Sequence, residues 1–335
     1  MNIPVTVVAG VEFDDPVVAL NVHDGVARIE DLIEGELTNG DVLLRDAVLH
    51  LFRAGGKRFR PLFTVLSAQL GPDPDAWQVT TAGAVIELVH LATLHHDDVM
   101  DEARMRRTVP TVNTLWGNRI AILAGDYLFA TASRLVARLG PEAVTIIADT
   151  FAQLVTGQIR ETRGTADRIN DIEYYLKVVH EKTACLIAAA GRFGATFSGA
   201  GHDQVERLER LGGLIGTAFQ ITDDIIDIDS DPETSGKLVG TDLREGVHTL
   251  PVLYALQEEG PAAERLRNLL ATPVDSDDKL AECLALLRLS DGIRRAKDMV
   301  AQYATRAEEE LAALPECAGR AALATVLKFA IDRHG

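Results

Sequence analysis

Two DDxxD motifs carry the clearest chemical signal in this sequence, and each ends an apolar helical run. Their aspartates are Asp97, Asp98, Asp101, Asp223, Asp224 and Asp227. On a helix the first and third aspartate of each motif share a face, and the middle one points about 100° round. Carboxylates this close repel one another unless a cation is present, and oxygen ligands without His or Cys suit Mg²⁺, which shares its shell with substrate phosphates. A solvated acidic face is the alternative, but two copies in apolar surroundings favour a metal site.

Compact basic groups stand out in a chain whose formal charge is −17. The segment GGKRFRP sets Lys57, Arg58 and Arg60 beside Gly55 and Gly56. Lys57 and Arg60 are three residues apart and can converge on one anion, while the glycines let the backbone approach a phosphate closely. The alternative is a solvated helix start.

Further basic residues follow the first DDxxD motif. Arg106 and Arg107 lie about one helical turn beyond Asp101, so they can reach phosphates at the aspartates or pair internally with Asp101 or Glu102. His90, about two turns before the motif, is more typical of a packed core histidine when taken alone. Together the acidic and basic groups predict a site for two diphosphates, one bridged by metal and one held by cations.

Long amphipathic segments must position these groups. Apolar residues repeat at three- and four-residue spacing, and we find no convincing strand pattern. Gly140 suits a helix end and Pro141 the first turn of the next helix. We predict one all-α domain over 1–335, with 1–14 loose and the polar stretch 229–247 an active-site loop. Examples of the predicted helical segments are 44–54, 78–96, 119–139, 142–163, 171–198, 203–228, 277–289 and 292–314.

The composition excludes several classes of protein. Because 47% of the residues are hydrophobic, the chain can bury a core and is not disordered. Its acidity argues against nucleic acid as a partner. Three scattered cysteines form no zinc or disulfide pattern, and we see neither a signal peptide nor an apolar run close to the roughly 18 residues that span a bilayer. A cytoplasmic location is expected.

The ordered set of motifs resembles the trans-isoprenyl diphosphate synthases from about residue 40 to the C-terminus. Residues 242–256 are similar in style to actinobacterial long-chain polyprenyl diphosphate synthases. The resemblance implies long helices around a central cavity, usually in a homodimer, and a Mg²⁺-dependent head-to-tail condensation of isopentenyl diphosphate onto farnesyl or geranylgeranyl diphosphate. The matching segments are GGKRFRP (55–61), ELVH (87–90), DDVMDEARMRR (97–107), AGDYLF (124–129), EKTA (181–184), GTAFQITDDIIDI (216–228), GK (236–237) and GTDL (240–243).

The resemblance also implies roles for single residues, with the six aspartates and Arg106 as the catalytic set. The chief ligands of several Mg²⁺ ions would be Asp97, Asp101 and Asp223, supported by Asp98, Asp224 and Asp227. Isopentenyl diphosphate would be held by Lys57, Arg60, His90 and Arg107. The allylic diphosphate would be held by Arg106, Lys182, Thr183, Gln220 and Lys237. The departing diphosphate is the implied proton acceptor, so no side-chain general base is assigned.

One position departs from the family pattern. A lysine often follows its last EG pair, whereas here Glu245-Gly246 precedes Val247-His248. A cation contact to the allylic diphosphate is therefore lost, or His248 supplies part of it.

Product length is expected to depend on the helix that precedes the first DDxxD motif. Ala92 lies five residues, about 7.5 Å, before Asp97, with Thr93 beside it. In the family, bulky aromatics there give short products, so these small residues predict an open tunnel and a long chain, and Ala92→Phe should shorten the product. By resemblance the product serves menaquinone side chains, with at most peripheral membrane contact.

Four other interpretations stay open at this point. A shorter-chain geranylgeranyl diphosphate synthase has the same chemistry. A class I terpene cyclase shares the first DDxxD motif but should lack the second and GGKRFRP. A non-catalytic partner subunit of a two-component synthase should lack both aspartate clusters, and a plain acidic helical scaffold needs neither.

Overall fold

The computed structural model describes residues 7–40, 42, 44–163, 172–230 and 239–332. Within these ranges the chain is almost entirely helical, which confirms the predicted all-α class. Two antiparallel pairs of very short strands occur there, β1 with β2 and β3 with β4. The strands are β1 (Val7–Val8), β2 (Val11–Glu12), β3 (Met105–Arg106) and β4 (Val109–Pro110).

The helices are numbered in chain order. The first group is α1 (Pro16–Thr38), α2 (Arg45–Arg53), α3 (Phe59–Ala68), α4 (Trp77–Met100), α5 (Val112–Trp116), α6 (Asn118–Ala137) and α7 (Pro141–Arg163). The next is α8 (Ile172–Val179), a π-helical turn (His180–Ala184), α9 (Cys185–Phe197) and α10 (His202–Asp229). The last is α11 (Thr241–Glu245), α12 (Leu250–Leu256), α13 (Pro261–Leu269), α14 (Asp277–Leu289), α15 (Gly292–Ala312) and α16 (Ala318–Ile331).

The chain divides into two compact units. Unit 1 comprises Met1–Ala152, Leu186–Gly212 and Glu310–Val326. Unit 2 comprises Gln153–Cys185, Gly213–Glu309 and Leu327–Gly335. The expectation of a single domain stays a prediction.

Unit 1 is built around α4. This helix contacts α1, α3 and α6, and most of its residues from Val79 to Ala92 are buried. A helix enclosed in this way must be apolar on all sides, which is why its sequence is more continuously hydrophobic than that of an amphipathic surface helix. Gly125 lets α6 approach α4, since a Cβ at that position would clash with the imidazole of His96.

The expectation that residues 1–14 are loose is wrong for residues 7–14. Val8 pairs with Val11 across the β1–β2 hairpin, and Val8, Val11 and Phe13 are buried in unit 1. These apolar side chains anchor the segment, and Asp15 then caps the first turn of α1 by accepting from the backbone N–H of Val17 at 2.8 Å. Residues 1–6 lie outside the described residues.

Unit 2 has a core of aliphatic side chains. It includes Ile221 and Ile225 on α10, Leu250 and Leu253 on α12, and Leu287 on α14, all buried. Helix α10 therefore packs one apolar side into this core. Its aspartates lie on its other sides.

The prediction of a loop throughout 229–247 is wrong for part of that stretch. It contains α11, which is bracketed by Gly240 and Gly246, both at φ 77°. Left-handed glycines allow the chain to turn sharply into and out of one short helix, so a polar composition does not exclude helix there. Residues 231–238 of the stretch lie outside the described residues.

The prediction that no segment could span a bilayer also needs a correction. Among the described residues, α6 is long and apolar enough to do so by length and composition alone. The helix is part of the unit 1 core, because Ala121, Ala124 and Leu128 on its inner side are buried and α6 packs on α4.

Candidate active site

The first DDxxD motif closes helix α4. Asp97 and Asp98 lie in its last turn and Asp101 is its C-cap. Asp97 is partly exposed and Asp101 is exposed, whereas Asp98 is only 2% exposed. The first and third aspartates thus share an accessible face as predicted, and the middle one is turned inward.

Asp98 is held by Arg106 from the hairpin that follows the motif. The Nε of Arg106 donates to Oδ1 of Asp98. Burial raises the pKa of Asp98, and the nearby Arg106 charge acts in the opposite direction. Arg106 therefore does pair internally, but with Asp98 rather than with Asp101 or Glu102.

Three of the four residues predicted to hold isopentenyl diphosphate lie close together in unit 1. The charges of Arg60 and Arg107 act on the His90 imidazole. The same two charges act on the buried carboxylate of Glu87. Arg107 donates to the backbone oxygens of Leu51, at 3.2 Å, and of Gly55. Lys57, the fourth predicted ligand, is exposed.

Gly56 shows why the basic segment begins with glycines. A Cβ at this position would lie 2.8 Å from Cζ of Arg107, and its φ of 135° is one that side-chain-bearing residues rarely adopt. The glycine therefore makes room for a guanidinium group.

His90 is a neutral imidazole in this environment. Its pKa lies well below the ordinary value, first because of burial and then because of the positive charges of Arg60 and Arg107. A neutral imidazole can still donate one hydrogen bond, so His90 can contact an anion without adding charge.

The remaining cation of GGKRFRP is structural. Arg58 donates to Glu30 at 2.7 Å, to Glu87 at 3.2 Å and to the carbonyl oxygen of Phe52 at 2.7 Å. Its side chain is 8% exposed and its φ is 47°, in the left-handed region. Of the three cations in the motif, Arg58 is buried and holds neighbouring elements together. Lys57 and Arg60 are at least partly accessible.

The second DDxxD motif occupies the last two turns of α10 in unit 2. Asp223 and Asp227 are partly exposed, while Asp224 is 5% exposed. The predicted arrangement recurs, with the first and third aspartates on an accessible side and the middle one inward.

Asp224 is held by neutral donors. The Tyr175 phenol donates to its Oδ2, and Gln220 Nε2 donates to its Oδ1 at 2.9 Å. Thr183 in turn donates to Oε1 of Gln220 at 3.1 Å. Burial raises the pKa of Asp224 to about 7, and the hydrogen bonds from Tyr175 and Gln220 act against that shift.

Asp227 links the motif to α11. Its carboxylate accepts from the backbone N–H of Thr241 at 3.1 Å and of Asp242 at 3.2 Å, at the N-terminus of that helix. The pKa of the Asp242 side chain is raised to about 8, chiefly by burial and then by the charges of Asp224 and Asp227. The acidic group of unit 2 is therefore larger than the motif alone.

Lys182 and Thr183 lie on the π-helical turn. Lys182 pairs with Glu161 of α7, and the preceding Glu181 accepts from Arg160 at 2.8 Å. Gly157 of α7 allows this approach, because a Cβ there would lie 2.8 Å from the backbone nitrogen of Lys182. A π-helical turn changes which side chains share a face, so the α-helical periodicity of 171–198 did not predict this pairing.

The other predicted positions are less uniform. Ala92 is fully buried, at 0% exposure, whereas Thr93 is partly exposed on the side of α4 that also carries His90 and Asp97. Burial lowers the pKa of His248, which favours the neutral form and weighs against its replacing the charge of a lysine. Lys237 lies outside the described residues.

The donors fit a hard divalent cation. In the described ranges, no group of three His, Cys, Asp or Glu side chains is arranged to hold a metal by itself. Each motif does present two carboxylates on one accessible side, and an all-oxygen set of this kind suits Mg²⁺ that completes its shell with phosphates and water.

Similarity to known proteins agrees with this geometry. A model of the polyprenyl synthetase family matches residues 41–287. The chain belongs to this family. As a member it is a prenyltransferase.

Individual relatives match over essentially their whole length. A nonaprenyl diphosphate synthase of Mycobacterium tuberculosis is 66% identical over 335 residues, which is 100% of both chains. A dimethylallyltranstransferase of the same organism is 56% identical and covers 97% of this chain and 99% of its own. A geranylgeranyl pyrophosphate synthase of Corynebacterium glutamicum, crystallised with calcium and isoprenyl diphosphate, has a TM-score of 0.88 and 45% identity, and covers 97% of this chain and 100% of its own.

Several residues of the site were missed at the sequence level. Tyr175 and Glu161 contact predicted site residues but belong to no motif that stood out. Asp242 was part of the GTDL match, yet it was not named as a site residue. Glu87 was part of the ELVH match, yet nothing in the sequence indicated that it would lie beside buried Arg58. These contacts join residues far apart in the chain, so only the packing of helices against one another could reveal them.

Proposed function

We propose that this chain is a long-chain all-trans polyprenyl diphosphate synthase. It condenses isopentenyl diphosphate head to tail onto farnesyl or geranylgeranyl diphosphate, and it requires several Mg²⁺ ions. The observation that carries the proposal is the duplicated geometry of the two motifs: each exposes its first and third aspartates and buries the second. A terpene cyclase needs only one such motif, and GGKRFRP provides a separate basic site that a cyclase does not need.

The basic residues of unit 1 would hold isopentenyl diphosphate. Arg60 and Arg107 lie near His90, whose neutral imidazole can donate a hydrogen bond to a phosphate oxygen without repelling the guanidinium groups. Lys57 would add a mobile point charge. Glu87 beside the arginines offsets their mutual repulsion before the anion arrives.

The polar residues of unit 2 would hold the allylic diphosphate. Lys182, Thr183, Gln220 and Lys237 are the candidates. Magnesium, when bound by the accessible aspartates of a DDxxD motif, would supply the charge that stabilises the departing diphosphate. The departing diphosphate would accept the proton released after carbon–carbon bond formation, so no side chain is needed as a base.

Long product length is supported by small residues near the first motif and by the nonaprenyl diphosphate synthase relative. Thr93 leaves the accessible side of α4 without an aromatic barrier at the turn before Asp97. We place the enzyme in the cytoplasm, with peripheral membrane contact for release of a long apolar product that would serve as a quinone side chain, menaquinone being the candidate.

The proposed enzyme is a homodimer. In unit 1, α5 and α6 expose apolar side chains, among them Leu115, Trp116, Ile122 and Leu123, each more than 40% exposed. An apolar surface of this kind is typical of a protein interface. Sedimentation equilibrium of the purified protein should give twice the chain mass of 36.2 kDa.

The decisive experiment supplies the purified protein with Mg²⁺, isopentenyl diphosphate and one of two allylic primers, farnesyl or geranylgeranyl diphosphate, and sizes the products by mass spectrometry. The expected result is a ladder that ends at a long all-trans chain. A product of four isoprene units or fewer would retain the chemistry and refute the long-chain proposal. No elongation with either allylic primer would refute the synthase itself.

A further inference from the structure

The middle aspartate of the second motif, Asp224, accepts a hydrogen bond from a neutral group on each of its carboxylate oxygens. Tyr175 of α8 donates to Oδ2 of Asp224, and Gln220, one turn earlier on α10, donates to Oδ1 at 2.9 Å. Thr183 extends this chain by donating to Gln220 at 3.1 Å. Both carboxylate oxygens are therefore occupied by contacts within unit 2.

The buried middle aspartates of the two motifs have different kinds of partner. Asp98 of the first motif is neutralised by Arg106, whereas among the described residues no lysine or arginine forms an ion pair with Asp224. A buried carboxylate without a counter-ion depends on every hydrogen bond it receives. The phenol of Tyr175 is thus the contact that ties Asp224 to α8 rather than to its own helix.

The hydrogen bond from Tyr175 to Asp224 also affects the neighbouring aspartates on α10. Asp223 and Asp227 are four residues apart and face the accessible side, while Asp224 points about 100° away from Asp223. Fixing Asp224 against α8 fixes the rotation of α10 about its axis. We propose that Tyr175 is a positioning residue for metal binding, which sets through Asp224 the direction in which Asp223 and Asp227 project.

The proposal rests on the proposed function, because it concerns the Mg²⁺ that the second motif would hold. Tyr175→Phe keeps the ring and removes only the hydroxyl. Loss of a partner that orients a metal ligand weakens metal binding about 10- to 100-fold, so the Mg²⁺ concentration for half-maximal activity should rise about tenfold. The KM for isopentenyl diphosphate, whose predicted ligands are in unit 1, should stay within about twofold.

Tyr174→Phe is the matched control. Tyr174 is the preceding residue on the same helix, and its hydroxyl donates to the backbone oxygen of Arg160 at 2.9 Å. The control variant also removes one phenolic hydrogen bond from α8. Its Mg²⁺ requirement should equal that of the unchanged enzyme.

Metal binding should also be measured without turnover. Mn²⁺ with inorganic pyrophosphate replaces the substrates, and the electron paramagnetic resonance signal of free Mn²⁺ reports binding. A weaker Mn²⁺ affinity in Tyr175→Phe alone supports the proposal. Equal affinities in both variants, or equal weakening in both, overturn it. If the unchanged protein binds Mn²⁺ and pyrophosphate but never elongates a primer, the proposed function fails while the positioning role is still decided by this assay.

Discussion

Arg58→Met tests the assignment of one cation of GGKRFRP to structure rather than to substrate. Arg58 joins the carboxylates of Glu30 and Glu87 and two backbone oxygens, those of Phe52 and Gly55. Its side chain is 8% exposed and that of Glu87 is 3% exposed, so the pair is shielded from water. Methionine keeps the apolar stem but leaves Glu87 without its hydrogen-bonded cation.

The expected loss follows from the burial of the pair. Removing one partner of a buried ion pair costs about 3–5 kcal/mol. Burial raises the pKa of Glu87, and the charges of Arg60 and Arg107 act against that shift. These two cations would still partly compensate the Glu87 carboxylate in the variant, which favours the lower end of the range, about 3 kcal/mol. In a unit of roughly 200 residues this lowers the thermal midpoint by about 6–12 °C.

The assay is thermal unfolding followed by far-ultraviolet circular dichroism. Arg53→Met is the control, since Arg53 and Glu34 form a pair whose side chains are 57% and 48% exposed, and such a pair contributes at most about 1 kcal/mol. The double variant Arg58→Met/Glu87→Met removes both charges and should recover much of the loss. The reasoning is refuted if Arg58→Met is no less stable than Arg53→Met. It is also refuted if the stability lost by the double variant equals the sum of the losses in Arg58→Met and Glu87→Met measured separately.

Three further outcomes are expected. Ala92→Phe and Thr93→Phe should both shorten the product by mass spectrometry, but only the first should lower the thermal midpoint, because overpacking a fully buried position costs about 1–3 kcal/mol. Asp224 and Asp242, with pKa values raised to about 7 and about 8, bind protons more tightly when folded, so in metal-free buffer the urea midpoint should rise as the pH falls from about 8 to about 6. Gly157→Ala should push α7 off the π-helical turn and raise the KM for the allylic diphosphate.

Each of these outcomes has its own control. An unchanged product in Thr93→Phe would exclude the accessible side of α4 as the tunnel wall. Asp242→Asn should weaken the pH dependence, and an unchanged slope would mean that other groups cause it. Gly35→Ala is the helix control for Gly157→Ala, because a Cβ at Gly35 meets nothing within 4 Å. If both alanine variants bind substrate equally well, close packing at Gly157 does not matter for the site.

The sequence predicted several of the long helices because their burial is periodic, but α1 (Pro16–Thr38) was not among the predicted segments. Segment 142–163 became α7 with Pro141 in its first turn, and 203–228 became α10, since apolar spacing determines which face a helix buries. Where the backbone departed from an α-helix the prediction failed. The π-helical turn at His180–Ala184 and α11 between two left-handed glycines leave no mark on apolar spacing.

The chemistry of the site was also largely local in the sequence. Four-residue spacing by itself places Asp97 with Asp101 and Asp223 with Asp227, because the geometry of a single helix determines which side chains share a face. That the middle aspartates would be buried, one against Arg106 and the other against Tyr175 and Gln220, required the neighbouring elements. Gln220 precedes Asp224 by four residues on the same helix, so their spacing is compatible with this contact. The contacts with Arg106 and Tyr175 instead depend on how separate elements pack, which spacing along the chain does not encode.

Sequence and tertiary structure also differ in what they reveal about which charged residues are accessible to substrate and which are buried. The sequence alone determined that this acidic chain concentrates cations in GGKRFRP and carboxylates in two DDxxD motifs. Only the tertiary structure decided that Arg58 is buried beside Glu87 while Lys57 is exposed, and that Ala92 is enclosed while Thr93 is accessible. Ala92 and Thr93 diverge because successive helical residues point about 100° apart. Lys57 and Arg58 diverge because they precede α3, with Arg58 at a φ of 47°. What each side chain then meets depends on the packing of other elements.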